Sequence, residues 1–299
     1  MKKIEINNGV NAKIKLSYND YGSGKPVVLI HGWPLSKEMW EYQLAPLVDA
    51  GFRVIKYDRR GFGKSDKPWT GYDYDTLAGD LKGLIDGLEL NDVTLVGFSM
   101  GGGEVARYLT NYGDSKISKA VFVSSVTPGM LKSDENQDGV PNEKFEEMIS
   151  GIKNDRIGFL DEFGKSFFGI SMVNHPVSAP LLQYYLNLES HASAKATLDC
   201  LSSFAYTDFT EDVKKINIPT LIIHGSGDKT VPVDAAGRRM SKLLPSAKYI
   251  EYDGAAHGLF YTEKERLNQD LVDFISDSDD EDGSEKYLSN IAEIDASKS

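Results

Sequence analysis

Short runs of β-branched and apolar residues alternate along this chain with longer stretches in which apolar positions recur every three or four residues. The first pattern belongs to buried strands, the second to amphipathic helices. Ile4 to Ile6 and Lys13 to Tyr18 predict an opening pair of strands. Val27 to Ile30, Arg53 to Tyr57, Val93 to Val96, Ala120 to Val123, Thr220 to Ile223 and Lys248 to Tyr252 follow. Helical spacing covers Glu38 to Ala50, Thr76 to Leu88, Gly102 to Asn111, Asp234 to Leu244 and Glu265 to Ile275. Strand and helix in regular alternation predict an α/β fold, in which helical crossovers flank a mostly parallel sheet. The alternation fails once. From about Pro128 to Lys215 no strand is convincing, yet the segment carries Phe145, Met148, Phe159, Phe163, Phe167 and Phe168. Residues this apolar need a surface to cover, which predicts a helical cap over 128–215 on the carboxyl edge of the sheet. The core is then 1–127 with 216–275, and 276–299 forms a separate extension.

That extension differs in kind. Asp277, Asp279, Asp280, Glu281 and Asp282 crowd together before a short amphipathic stretch from Lys286 to Ile294. Dense like charge opposes compaction, so a solvated extension is expected and no function is assigned to it. Asp134-Glu135-Asn136-Gln137-Asp138-Gly139 imitates the start of a calcium-binding loop. Its twelfth position is Phe145 where a bidentate Glu is required, so a polar surface turn is expected instead.

Composition narrows the classes. The 299 residues are 40% apolar, enough for one large core. A formal charge of -12 opposes binding to nucleic-acid phosphates or anionic membranes and favours a small-molecule partner. Cys200 is the single cysteine, so no internal disulfide is possible. Met1-Lys2-Lys3 is followed by no continuous apolar stretch, and no run approaches a membrane span, so a cytoplasmic protein is expected.

The chemistry centres on Gly97-Phe98-Ser99-Met100-Gly101, set between a strand and a helix. Strand, sharp turn and helix can raise a serine hydroxyl above a parallel sheet as a nucleophile. The flanking glycines are expected because a Cβ at either would strike neighbouring backbone. A serine hydroxyl needs a general base, and the base needs an orienting carboxylate. Five histidines are available. His175 and His191 lie in the cap, and His31 and His224 close strands where a ring can cap backbone groups, so a structural role is expected for all four. His257 stands apart in Asp253-Gly254-Ala255-Ala256-His257-Gly258, a small-residue loop after the last predicted strand. For the acid, Asp228 follows a strand in His224-Gly225-Ser226-Gly227-Asp228, a setting that also suits a plain Asx-turn. Ser99, Asp228 and His257 in that chain order match the triad order of α/β hydrolases, and each follows a predicted strand. The Met100 N–H, at the start of the helix, is the expected first donor to an oxyanion. The second is Trp33, in His31-Gly32-Trp33-Pro34, since Pro34 has no N–H. The Trp33 indole is equally consistent with core packing.

From Lys13 to Ile275 the chain resembles the α/β-hydrolase superfamily. Within it, His31-Gly32-Trp33-Pro34-Leu35, the run from Tyr57 to Ser65, Gly71-Tyr72-Asp73-Tyr74-Asp75-Thr76 and the run from Gly97 to Tyr108 are similar to cofactor-free bacterial haloperoxidases, or perhydrolases, and their arylesterase relatives. The resemblance implies hydrolysis of small esters through an acyl-enzyme on Ser99. With hydrogen peroxide in place of water it implies a peracid that oxidises halide outside the protein, with neither haem nor metal. Pro34 fixes the backbone beside the oxyanion loop and is expected to bias the choice between water and peroxide through the Trp33 carbonyl. Haloalkane dehalogenases and epoxide hydrolases of this fold carry Asp where this chain has Ser99, which disfavours an alkyl-enzyme. Aminopeptidase or carbon–carbon bond hydrolase activity stays open, as does a non-catalytic ligand receptor of the same fold.

Overall fold

The computed structural model describes residues 2–7 and 13–277. The acidic extension lies outside them from residue 278 onward, together with the Lys286 to Ile294 stretch.

Eight strands form one sheet: β1 (Lys2–Ile6), β2 (Ile14–Tyr21), β3 (Pro26–Ile30), β4 (Arg53–Tyr57), β5 (Val93–Phe98), β6 (Ile117–Val123), β7 (Thr220–Gly225) and β8 (Lys248–Tyr252). Their spatial order is β1-β2-β4-β3-β5-β6-β7-β8. β1 and β2 pair antiparallel, as do β2 and β4, and every later pairing is parallel. The predicted α/β alternation is therefore the observed architecture. The chain moves outward from β3 to β4 and then returns to lay β5 on the other side of β3. Their carboxyl ends meet at the reversal, where open α/β sheets bind ligands.

Alternation along the strands divides the core. Val28, Ile30 and Leu95 face one layer, while Val27, Leu29 and Val96 face the other. All six are fully buried. Each such side chain contributes about 1.5–3 kcal/mol relative to exposure, which explains why these strands read as apolar runs, interrupted in β5 only by the buried Thr94.

The helices are α1 (Glu41–Asp49), α2 (Tyr74–Gly87), α3 (Met100–Tyr112), α4 (Asn142–Phe167), α5 (Ala179–Ser190), α6 (Ala194–Tyr206), α7 (Thr210–Lys214), α8 (Gly237–Leu243), α9 (Leu259–Thr262) and α10 (Lys264–Ser276). Two predicted helices are shorter than their apolar spacing suggested. A 3-10 turn at Lys37–Trp40, capped by the Ser36 hydroxyl, precedes α1, and turns occupy most of 231–236 before α8. Between β6 and β7 the described chain has four helices and only isolated bridges, such as Leu131 with Val140. Asp155 breaks α4: its φ of -147° and ψ of 91° are not helical, and its carboxylate accepts the Gly158 N–H at 3.0 Å to restart the helix. The serines at 178 and 193 cap α5 and α6 in the same way. In the loop that imitates a calcium site, the buried Asn136 amide donates to the carbonyls of Gly129 and Leu131, which ties the turn to its own flank.

Candidate active site

Ser99 joins β5 to α3 with φ 53° and ψ -119°, a conformation that a side chain ordinarily avoids. Surrounding bonds hold it there. Its N–H donates to Val123 O at 2.9 Å, and its carbonyl accepts from Gly102 N at 3.1 Å and Val126 N at 3.2 Å. The flanking glycines are steric necessities. A Cβ on Gly97 would lie 2.6 Å from Gly101 O, and one on Gly101 would lie 2.6 Å from Ile30 O.

The three residues expected to act together are brought together. His257 Nε2 lies 3.0 Å from Ser99 Oγ, and His257 Nδ1 lies 2.6 Å from Asp228 Oδ2. Ser99 is 6% exposed, Asp228 5% and His257 1%. Asp228 also makes the Asx-turn that its sequence context suggested, with its other oxygen: Oδ1 accepts from Thr230 N at 2.9 Å and Val231 N at 2.8 Å. Burial by itself would push this carboxyl up, but the His257 and His224 rings and their hydrogen bonds outweigh it and hold the group at about 2. The His257 ring is wedged between Phe98, 5.0 Å away, and Phe167, 4.8 Å away at 87°.

Trp33 follows β3, and Met100 occupies the first turn of α3, where backbone N–H groups lack an intrahelical partner. Ile30 pairs with Gly97 in the sheet, so the two loops leave it side by side. The Trp33 indole does pack in the interior, edge-on to Phe163 and Phe204, while its Nε1 donates to Thr197 O in α6 at 2.9 Å. It thereby fastens the β3 loop to the helices above.

Of the remaining histidines, His31 is buried and accepts the Arg59 N–H at Nε2. Burial, reinforced by Arg59, lowers its pKa well below the usual imidazole value. His191 meets Asn187 O at 2.7 Å, and His175 is exposed. His224 meets Val231 O at 2.9 Å, as a strand-end cap should, but its Nε2 also lies 3.4 Å from Asp228 Oδ2. Nothing in the local sequence signals this second contact, because the loop that returns Asp228 to the ring is set by tertiary packing.

Motifs far apart in sequence converge beneath Ser99. Glu104, inside α3, accepts from the Tyr57 hydroxyl at 2.8 Å and pairs with the buried Arg59 guanidinium. Arg59 donates onward to His31 O at 2.6 Å. This satisfied network ties the ends of β3 and β4 to α3 and gives the serine turn a rigid floor.

Above Ser99 opens a cavity of about 380 Å³. Its wall is largely apolar, with Trp33, Val126, Met148, Phe159, Phe163 and Phe204 contributing. Lys144, Glu147, Glu162 and Lys229 provide charged groups, of which Lys144 pairs with Glu147 at 2.7 Å. Among the described residues no helix is long and apolar enough to cross a membrane.

Sheet order, serine turn and cavity define a hydrolase architecture, and sequence comparison agrees: the family described as alpha/beta hydrolase fold matches residues 25–264. The chain belongs to this enzyme family. It is 42% identical over 265 residues to the non-heme chloroperoxidase CPO-A1 of Kitasatospora aureofaciens, covering 88% of this chain and 96% of that protein. To the bifunctional esterase/perhydrolase DCH of Acinetobacter calcoaceticus it is 37% identical, with the same 88% and 96% coverage. The crystal structure of a bromoperoxidase from Bacillus anthracis superposes with a TM-score of 0.88 at 48% identity, covering 92% of this chain and all of that one. The resemblance read from the motifs thus extends along most of the chain.

Proposed function

We propose that the protein is a serine hydrolase of small carboxylic esters that also performs perhydrolysis, with Ser99 as nucleophile, His257 as general base and Asp228 as the acid that orients it. The observation that carries this reading is the continuous contact from Asp228 Oδ2 through His257 to Ser99 Oγ, at 2.6 Å and 3.0 Å, opening into the apolar cavity. Because Asp228 Oδ2 is an acceptor, the proton on His257 Nδ1 faces it, and Nε2 is free to take the serine proton. Ser99 Oγ bonds to the ester carbonyl carbon as His257 takes its proton. The N–H groups of Trp33 and Met100 receive the oxyanion. Collapse of the intermediate breaks the ester C–O bond, and the alcohol leaves with the proton from His257.

Water or hydrogen peroxide then adds to the acyl-enzyme, His257 takes its proton, and Ser99 departs reprotonated. The products are a carboxylic acid or a peracid, and the peracid oxidises halide in solution. The relatives named as chloroperoxidase and esterase/perhydrolase support both outcomes at one site. The predominantly apolar wall favours short acyl and aryl groups.

The test is a parallel assay of aryl acetate hydrolysis and peroxide-dependent bromination in acetate buffer, with wild type, Ser99→Ala and His257→Ala. Both variants should lose both activities, and bromination that survived them would refute the mechanism. Fluorophosphonate labelling should vanish in Ser99→Ala, whereas an unlabelled wild type inert on an ester panel would favour a receptor. Pro34→Leu should change the ratio of peracid to acid formed, and an unchanged ratio would remove Pro34 from the account.

A further inference from the structure

His224 closes β7 and is fully buried. Its Nε2 faces two oxygens at once, Val231 O at 2.9 Å and Asp228 Oδ2 at 3.4 Å. Both are acceptors, so the ring proton belongs on Nε2, where it is shared between them. The opposite nitrogen, Nδ1, is buried without a hydrogen-bond partner. A ring serving only as a strand-end cap has no need to be held against a carboxylate, and this one is held firmly. A Cβ on Gly237 would lie 2.7 Å from His224 Cβ and 2.9 Å from its Nδ1, so α8 is seated directly on the imidazole. The other charged groups nearby are Glu251, paired with His224 in the β7–β8 register, and Arg238, which binds Glu251 at 2.8 Å and 2.5 Å.

Asp228 Oδ2 is therefore approached from two sides, by His257 Nδ1 and by His224 Nε2, while Oδ1 is fixed by two backbone N–H groups. The backbone donors and His257 engage both oxygens, and His224 adds a second ring against the same oxygen that meets His257, so any rotation that takes Oδ2 off His257 also breaks this contact. We propose that His224 is a positioning residue for the triad: its Nε2–H fixes the rotation of the Asp228 carboxylate so that Oδ2 stays aimed at His257, and it draws charge from that oxygen. His224 touches no substrate and acts only through Asp228. The inference rests on the triad reading above.

The consequence has a sign. Removing the His224 donor leaves Asp228 Oδ2 with more charge, which strengthens its hold on the His257 imidazolium and moves the acid limb of kcat/KM to higher pH. The loosened carboxylate also costs turnover. For His224→Phe, kcat on an aryl acetate should fall roughly tenfold or more while KM stays within about twofold, as for loss of a hydrogen bond to a charged group. His224→Gln, whose amide nitrogen reaches close to the position of Nε2, should recover most of the rate and the wild-type limb. A role confined to folding would lower stability in His224→Phe and leave the limb in place, which would overturn the proposal. Because His224→Phe can fail to fold, wild type labelled with 15N-histidine supplies an independent test. His224 should show a protonated Nε2 and a bare Nδ1, and a bare Nε2 would equally overturn the proposal. Ser99→Ala and His257→Ala are run alongside. Activity surviving in them refutes the triad, whereas their inactivity with an unshifted His224→Phe refutes only the role of His224.

Discussion

Asp228 and His257 are 29 positions apart in the chain and 2.6 Å apart in space, buried together at the carboxyl ends of neighbouring parallel strands. The contact joins an acid held at about 2 to a ring clamped between two phenylalanines. It bears on stability as well as on the proposed chemistry.

Asp228→Asn should lower kcat/KM on aryl esters roughly 10⁴-fold, because an amide cannot fix the His257 tautomer as a carboxylate does. A loss below about tenfold would exclude the orienting role. Stability follows the same group. Its folded pKa is depressed, so its contribution is present above the unfolded value near 4 and is lost as pH falls toward about 2. Denaturant unfolding at a series of acid pH values should show wild type losing about 2 kcal/mol across that window, with the slope flattened in Asp228→Asn.

Glu189 behaves in the opposite sense. It is buried between α4 and α5 beside Leu160, Leu182 and Leu186, with Oε2 unpartnered. Burial, with Asp161 adding to it, raises its pKa well above the ordinary carboxylate range. A raised acid favours the folded state most at pH values below its unfolded pKa, and that advantage is lost as pH climbs toward the folded value. Glu189→Met, similar in length and free of polar oxygens, should therefore stabilise by about 1–3 kcal/mol at pH 8, with less gain at pH 5. Equal gains in urea melts at both values would contradict this account.

Gly97→Ala should disable the serine turn. The added methyl meets Gly101 O at 2.6 Å and Gly102 N at 2.7 Å, both backbone atoms that cannot rotate away. A destabilisation of about 3 kcal/mol is expected from such overpacking, together with slower fluorophosphonate labelling of Ser99. An alanine variant labelled at the wild-type rate would show that the turn tolerates a side chain there.

Phe159 is half-buried, lines the cavity and stacks on Phe163 at 6.1 Å. Phe159→Ala should make room for longer acyl chains, raising the ratio of kcat/KM for hexanoyl over acetyl p-nitrophenyl esters roughly tenfold, the usual effect of reshaping an apolar pocket. An unaltered ratio would place the acyl chain elsewhere.

Much of this molecule was legible locally. Val27 to Ile30 and Val93 to Val96 announced buried parallel strands because both of their faces are covered, so every residue but the β-branched Thr94 is apolar. Gly97 and Gly101 announced the serine turn because the collisions that require glycine arise within a few residues or with the adjacent strand end. His224 was read only as a strand-end cap. Its contact with Asp228 depends on how the chain between them curls back, and no spacing rule expresses that. Asp155 was missed as a break in α4 for a similar reason: a capping carboxylate in mid-helix resembles any other exposed acid.

By itself, the sequence determined the α/β alternation and the glycine-flanked serine turn, since both follow from backbone sterics and the spacing of apolar residues over short distances, and it displayed the order Ser99, Asp228, His257 directly. Tertiary structure carried His257 to Ser99 across 158 positions of chain, set His224 against Asp228, and enclosed the cavity with helices from the segment between β6 and β7. Those outcomes depend on sheet order and parallel register. They are set by how whole layers bury their apolar faces against one another, a collective choice that no local stretch of residues carries.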